Sequence, residues 1–181
     1  MKKTMLLAIC STCFFACNSP EPTVEKTAEP AAESTMQPTE FADAKYADIG
    51  KKGIAALASG DVDGWLAQFA DNAKYFWNGG DSLIGKAAIT DYWKKRRTEV
   101  IDSMSFSNDI WLPVKVNTPQ QQVQSPGVWL LSWYTVKAKY KSGKYMGQWI
   151  HTDMHFDAND KIDQVIQYVD RAPINAAVAG K

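Results

Sequence analysis

Apolar residues at helical spacing predict that the folded region opens with a helix. Four positions recur at i, i+3, i+7 and i+11, on one side of a helix over residues 41–59: Tyr46, Ile49, Gly53 and Leu57. Gly60 follows, and a glycine suits the left-handed residue that ends a helix. We therefore expect one face of this helix to lie in the core.

A second, shorter helix follows at once. Asp61 can cap its first turn, because a carboxylate accepts hydrogen bonds from free backbone N–H groups. The next apolar residues fall at i, i+3, i+4 and i+7: Val62, Trp65, Leu66 and Phe69. The pattern predicts that these four residues also belong to the core.

The rest of the chain predicts strands around one more helix. A strand over residues 73–77 ends at the turn-forming stretch 78–81, and a short strand, 82–84, pairs back. Gly85 and Lys86 open a third helix that turns its apolar side inward: Ile89, Tyr92, Trp93 and Val100. The last four predicted strands are 104–116, 128–140, 145–156 and 162–169. Helices followed by an antiparallel meander indicate an α+β domain, with the helices on one side of a curved, mostly antiparallel sheet.

The residues before this domain have the features of an export signal. Lys2 and Lys3 precede an apolar run over residues 5–16, which is shorter than the roughly 20 residues that span a bilayer. Ala16-Cys17 resembles the cleavage site of bacterial lipoproteins, which implies a signal peptide over 1–16 and a lipidated Cys17.

The segment after Cys17 predicts a tether. Residues 18–40 are rich in Pro, Glu and Thr and lack the apolar residues of a core, so we expect them to be disordered. The domain then covers residues 41–173, followed by a C-terminal tail over 174–181. A lipid anchor with such a tether predicts a protein of the cell envelope, attached to the outer membrane and facing the periplasm or the surface.

Composition excludes several kinds of chemistry. The three cysteines, Cys10, Cys13 and Cys17, all lie in or beside the signal, so the domain has no thiolate nucleophile or cysteine-ligated zinc. Twenty basic residues balance twenty acidic ones, which argues against nucleic acid as a partner. We interpret the basic run 94–97 as the solvated side of a helix.

Titratable side chains cluster on the strand 145–156. His151, Asp153 and His155 alternate, so they share one face of the strand. The two histidines are about 13 Å apart at roughly 3.3 Å per residue, too far to bind one metal ion, and we expect neither a metal nor a cofactor. Asp153 orienting a histidine would suit acid–base catalysis. The plainer interpretation is a polar outer sheet face that contacts a second copy of the chain.

The hairpin at residues 141–144 predicts which side chains face each other. Pairing Tyr140 with Tyr145 sets His151 opposite Tyr134 and Asp153 opposite Ser132. Under this register one face is apolar and aromatic, with these members: Trp129, Leu131, Trp133, Thr152, Met154 and Phe156. The other face would carry the candidate catalytic set of His151, Asp153 and Tyr134.

The stretch 54–78, with its G-D-V-D-G junction and F-A-D-N-A exit, resembles the opening of the nuclear transport factor 2-like superfamily, which includes SnoaL-like cyclases and ketosteroid isomerase. The resemblance implies a cone-like half-barrel that encloses a cavity. The catalytic tyrosine, base and second acid of ketosteroid isomerase fall on Gly53, Trp77 and Thr152, so the resemblance implies that this chain is not a ketosteroid isomerase. It also implies a cavity wall that includes Trp77, Tyr92, Thr152 and Gly53.

Three functions remain open from the sequence. The first is a lipoprotein that binds a small apolar ligand without catalysis. The second is an interaction module that uses the outer sheet face for a partner or for homodimerisation. The third is an isomerase, cyclase or lyase acting on a small apolar substrate. The sequence leans away from an enzyme, and the sheet face of His151 decides between these functions.

Overall fold

The computed structural model describes residues 36–120 and 125–179. The predicted signal peptide, Cys17 and most of the predicted tether lie outside these residues. The elements are β1 (Thr39–Phe41), α1 (Lys45–Ser59), α2 (Val62–Leu66), β2 (Phe69–Trp77), β3 (Ser82–Ile84), α3 (Lys86–Lys95), a π-helical turn (Arg96–Val100), β4 (Ile101–Val116), β5 (Gly127–Tyr140), β6 (Tyr145–Phe156), β7 (Ile162–Tyr168) and α4 (Arg171–Val178). Among them, no helix is both long and apolar enough to cross a membrane.

The strands form one seven-stranded sheet in the order β1-β4-β5-β6-β7-β2-β3. Every pair is antiparallel except β2 with β7, which run parallel. Side chains of α1, α2 and α3 meet those of the sheet around one internal cavity, so the helices cover one face of the sheet. This arrangement confirms the predicted α+β class, with helices packed on a mostly antiparallel sheet.

The predicted helix boundaries around Gly60 are confirmed. Gly60 is left-handed, with φ of 88°, and its N–H donates to the Leu57 carbonyl. The Asp61 carboxylate accepts a 2.8 Å hydrogen bond from the Gly64 N–H and so caps α2. Within α1, a Cβ at Gly50 would lie 2.5 Å from a ring carbon of Trp111, which explains why a glycine occupies a helix interior there.

Three element boundaries differ from the prediction. Phe41 pairs with Val114 in edge strand β1 instead of starting α1, and β1 begins within the predicted tether. Phe69 opens β2, where its buried ring lies 4.7 Å from that of Trp65. Pro173, the predicted end of the domain, lies inside α4, a helix capped by Asp170. Strand pairing with residues distant in sequence, Val114 and Ile162, explains the first two differences, whereas the cap at Asp170 is local.

The predicted register of the β5–β6 hairpin is wrong by one residue. The Tyr140 N–H donates to the Lys144 carbonyl, and Gly143 adopts a left-handed φ of 83°. The loop therefore comprises the three residues 141–143, one fewer than the four that we predicted, and three-residue hairpin loops are common. Lys139 pairs with Tyr145, and His151 lies opposite Trp133 rather than Tyr134.

Candidate functional site: an aromatic cavity

A cavity of about 180 Å³ lies between the helices and the inner face of the sheet. Its wall is mainly apolar and aromatic, and the rings that surround it include Trp65, Tyr75, Trp77, Tyr92, Trp93 and Phe106. Trp77 joins two of the elements, because its ring lies 4.6 Å from that of Tyr75 and 5.2 Å from that of Tyr92. Such tilted aromatic contacts hold the wall in one arrangement.

The four residues that the resemblance placed on the cavity wall all lie there: Gly53, Trp77, Tyr92 and Thr152. Gly53 keeps α1 close to α2, since a Cβ at this position would be 3.2 Å from the Trp65 ring. Because side chains alternate between the two faces along β6, the side chain of Thr152 faces the cavity. Whether these four residues bind a ligand stays a prediction.

A chain of hydrogen bonds crosses the cavity floor. The Trp77 Nε1–H donates to Gln167 Oε1 at 3.0 Å, and Gln167 Nε2 donates to Thr152 Oγ1 at 3.5 Å. The hydroxyls of Thr152 and Tyr134 share a 2.8 Å hydrogen bond. The chain satisfies the buried polar groups of these strands without leaving a charge in the cavity.

Three tyrosines on the wall remain neutral hydroxyl groups near physiological pH. Burial raises the pKa of Tyr134 and Tyr140 above the usual value of 10, and raises that of Tyr75 well above it. Desolvation is the main cause in each case, because an apolar surrounding disfavours the phenolate. These hydroxyls can therefore donate hydrogen bonds to a ligand but do not act as ready proton acceptors.

Two arginines, Arg96 and Arg171, are the charged residues of the cavity wall among the described residues. The sequence did not predict a place in the cavity for either. Arg96 opens the π-helical turn, with its guanidinium 5.5 Å from the Tyr92 ring centroid. Arg171 starts α4, lies 5.5 Å from the Trp77 ring centroid and pairs with Asp81. The sequence predicts that Arg96 is solvated with the rest of the basic run 94–97, and this prediction is wrong for Arg96. Its spacing of i+3 and i+4 from Trp93 and Tyr92 is the signal that pointed inward.

The candidate catalytic residues do not come together. Tyr134 lines the cavity, whereas His151 and Asp153 project from the outer face of the sheet. There the His151 ring stacks on Trp133 at 4.5 Å, and its Nε2 lies 2.9 Å from Asp153 Oδ1. The predicted grouping of Tyr134 with His151 and Asp153 fails because the register is shifted by one residue.

Burial disfavours the ionised form of the Asp153 carboxyl on this outer face. Its Oδ1 is buried without an aligned hydrogen bond, although His151 is in contact. Burial raises the pKa of Asp153 above 3.8, and the nearby His151 opposes this shift. The raised pKa follows from desolvation and does not by itself identify a catalytic acid.

Both ring nitrogens of His155 are within hydrogen-bond distance of a protein oxygen, which gives this residue a structural role. Its Nδ1 lies 2.5 Å from Asp163 Oδ1, and its Nε2 lies 3.0 Å from the Pro126 carbonyl oxygen. The Trp129 indole N–H donates to the neighbouring Ser125 carbonyl. Together these contacts hold the start of β5 against β6 and β7.

Metal ligands are not assembled in the region that the structure describes. Over residues 36–120 and 125–179, no three His, Cys, Asp or Glu side chains lie close enough together to hold a metal ion. His151 and His155 each contact a different carboxylate, Asp153 and Asp163.

A SnoaL-like domain profile matches residues 51–114 of this chain. That match begins within α1 and ends within β4, and this segment contributes Gly53, Trp77, Tyr92 and Arg96 to the cavity. No curated protein matches the chain in sequence.

Solved structures resemble the whole domain. A candidate isomerase from Bacillus subtilis is 17% identical with a TM-score of 0.58, over 76% of this chain and 94% of that one. A candidate polyketide cyclase from Xanthomonas campestris is 16% identical with a TM-score of 0.59, over 75% and 97%. A protein of unknown function from Burkholderia pseudomallei is 15% identical with a TM-score of 0.59, over 75% and 98%. Together these likenesses show that the domain has the nuclear transport factor 2-like, or ketosteroid isomerase-like, fold.

Proposed function

We propose that the domain binds a small apolar ligand in its cavity and does not transform it. The observation that carries this proposal is an internal void of about 180 Å³ with a mainly apolar and aromatic wall. Ligand sites are typically concave and apolar, with a few polar groups that fix the orientation of the ligand. The chain from Tyr134 to Trp77 supplies such groups here.

The volume limits the size of the ligand. An engineered apolar cavity of about 150 Å³ accommodates benzene, whereas pockets for drug-sized ligands measure roughly 300–1,000 Å³. The cavity here, about 180 Å³, fits one substituted ring rather than a polycyclic molecule. A steroid or a polyketide would require the wall to move.

The composition of the wall supports binding over catalysis. Among the described residues that line the cavity, none is Asp, Glu, His, Lys or Cys. General acid–base catalysis needs a group that changes protonation near the working pH. The buried tyrosines are poor candidates because burial raises the pKa of Tyr134 and Tyr140.

Calorimetric titration of the full chain with benzene, indole, naphthalene and cholesterol tests this proposal. We expect binding of the first two, weaker binding of naphthalene and none of cholesterol, because the volume of the cavity sets a size limit. Heat-capacity changes should be negative, as expected when apolar surface is buried. Failure of both benzene and indole to bind would refute the proposal, and turnover of any bound ligand would favour an enzyme.

The alternative of an isomerase, cyclase or lyase has support from the candidate isomerase and cyclase among the similar structures. It would rely on His151 and Asp153, whose side chains are on the sheet face away from the cavity. A substrate would then have to bind on the outer face. Product analysis with the wild-type chain and the His151→Ala variant tests this alternative.

The outer face is also a candidate interface with a second copy of this chain. Large apolar side chains are exposed on it, including Ile110, Trp149 and Tyr168, of which Trp149 is 56% exposed. They surround the stacked pair of Trp133 and His151. Sedimentation analysis tests this role. The Trp149→Lys variant should remain monomeric at concentrations where the wild-type chain dimerises.

Membrane attachment completes the proposal. The Ala16-Cys17 pair and the Pro/Glu-rich residues 18–40 support a lipidated N-terminus, with the domain held away from the bilayer of the cell envelope.

A further inference from the structure

From the charges on the cavity wall we infer that the ligand is an anion, a small aromatic carboxylate, with its carboxylate held by Arg96. This inference rests on the proposed function and specifies the class of ligand. The charged side chains that line the cavity in the described residues are Arg96 and Arg171, and both are cationic. A cavity with this wall favours a ligand that has an apolar body and one anionic end.

Arg96 is the cation available to such a ligand. Arg171 is already paired with Asp81. Within the part of the chain that the structure describes, no Asp or Glu oxygen lies within 4.0 Å of Arg96. Its guanidinium lies beside the Tyr92 ring. A half-buried arginine without a carboxylate partner can bind an oxyanion through two parallel N–H donors.

The Trp93 side chain provides a second, independent observation. Trp93 lines the cavity, is only 9% exposed, and its indole Nε1–H is buried without a hydrogen-bond partner. Buried donors are almost always satisfied in folded proteins, so an unpaired N–H on a cavity wall indicates a missing acceptor. A ligand carboxylate would supply that acceptor.

Trp93 and Arg96 lie three residues apart along one helical segment, where side chains are neighbours. The Tyr140 hydroxyl is also nearby: burial raises its pKa, and the adjacent Arg96 opposes that shift. All three residues line the cavity, and they carry an N–H, a guanidinium and a hydroxyl donor. Ile150 and Met154 are among the apolar side chains of the same wall.

Three planar probes that differ in charge but hardly in shape test the inference: benzoate, benzamide and benzamidinium. Isothermal titration of the full chain at low ionic strength and neutral pH measures each affinity. We expect benzoate to bind about tenfold more tightly than benzamide, because charge-assisted hydrogen bonds are roughly twice as strong as neutral ones. Benzamidinium should bind most weakly, since it meets a cation.

Three variants locate the effect. In Arg96→Gln, the ratio of benzoate to benzamide affinity should fall towards one. Lys95→Gln removes the same charge from the preceding residue, which is exposed and outside the cavity wall. This variant should keep the affinity ratio of the wild-type chain. Trp93→Phe should weaken benzoate binding, because the ring remains but the N–H is lost. Thermal unfolding of each variant confirms that the compared chains are folded.

The outcomes separate this inference from the proposed function. If benzamide or benzamidinium binds as tightly as benzoate, or if Lys95→Gln lowers the ratio as much as Arg96→Gln, the anion is not recognised by Arg96. The cavity function would survive either result. If none of the three probes binds, and benzene and indole fail as well, the proposed function itself is refuted.

Discussion

Filling the cavity from its wall should stabilise the protein while blocking the ligand. Ala138 lies on β5, is 3% exposed and lines the void. An Ala138→Leu substitution adds three carbon atoms, and burying them is worth about 0.8 kcal/mol each, or up to about 2.4 kcal/mol. In a region without free space, the same enlargement costs roughly 1–3 kcal/mol through overpacking. The sign of the change in unfolding free energy therefore reports whether the void exists.

Ala73 provides a matched control. It lies on β2, is fully buried and is not part of the cavity wall. Ala73→Leu should therefore lower the unfolding free energy by about 1–3 kcal/mol. Urea unfolding of both variants, fitted by linear extrapolation, gives the two free energies. Titration with indole should show weaker binding to Ala138→Leu. Equal destabilisation of the two variants would refute the cavity described above.

Four further predictions concern other parts of the chain. Trp77→Ala should weaken indole binding and lower the unfolding free energy by roughly 3–5 kcal/mol, whereas His151→Ala should bind indole like the wild-type chain. Titration below the unfolding transition measures both affinities. Equal losses of affinity would contradict the placement of Trp77 and His151 on opposite faces of the sheet. Burial raises the pKa of Asp153, so its ionised form destabilises the fold at pH above that value. Asp153→Asn should raise the unfolding free energy at neutral pH, and urea unfolding should show this gain shrinking on acidification; a gain independent of pH would contradict the assignment. Cys17→Ser should abolish labelling by a palmitate analogue and shift the chain out of membrane fractions, and unchanged labelling would exclude lipidation at this residue. Ending the chain at Asp170 removes α4, whose Ile174 and Asn175 line the cavity, so titration should show lower indole affinity; wild-type affinity would show that α4 does not close the site.

Local signals made most of the fold predictable. The helix end at Gly60 and the cap at Asp61 depend on residues within one turn, and both were predicted. Alternation along β6 correctly separated Thr152 and Met154, which face the cavity, from His151 on the outer face. These features follow from backbone periodicity, which a single sequence displays directly.

The pairing between strands was less accessible, because it depends on the geometry of one turn. The hairpin loop after Tyr140 has one residue fewer than the prediction requires, and a slip of one position moves every side chain of β5 to the other face. Tyr134 therefore lines the cavity, while Trp133 stacks on His151. Nothing in the alternation of β5 could reveal this, since both of its faces carry aromatic residues.

The cationic end of the cavity was also hidden in the sequence. A run of four basic residues at 94–97 is usually solvated, and Lys94 and Lys95 are indeed exposed. The π-helical turn that begins at Arg96 changes the helical period at that residue. The i+3 and i+4 spacing from Trp93 and Tyr92 is the one signal that separates Arg96 from its neighbours, and a change of helical period at this residue weakens that signal.

The sheet separates the cavity residues from His151 and Asp153, and this separation constrains any mechanism for the protein. Tyr134, Thr152 and Trp77 face the cavity, whereas His151 and Asp153 lie on the other side of the backbone of β5 and β6. A ligand inside the cavity cannot exchange a proton with His151 unless the hairpin changes its register, which would also move the floor of the cavity. Catalysis by His151 and binding in the cavity therefore involve different ligands. A variant that affects both would indicate coupling through the sheet rather than a shared site.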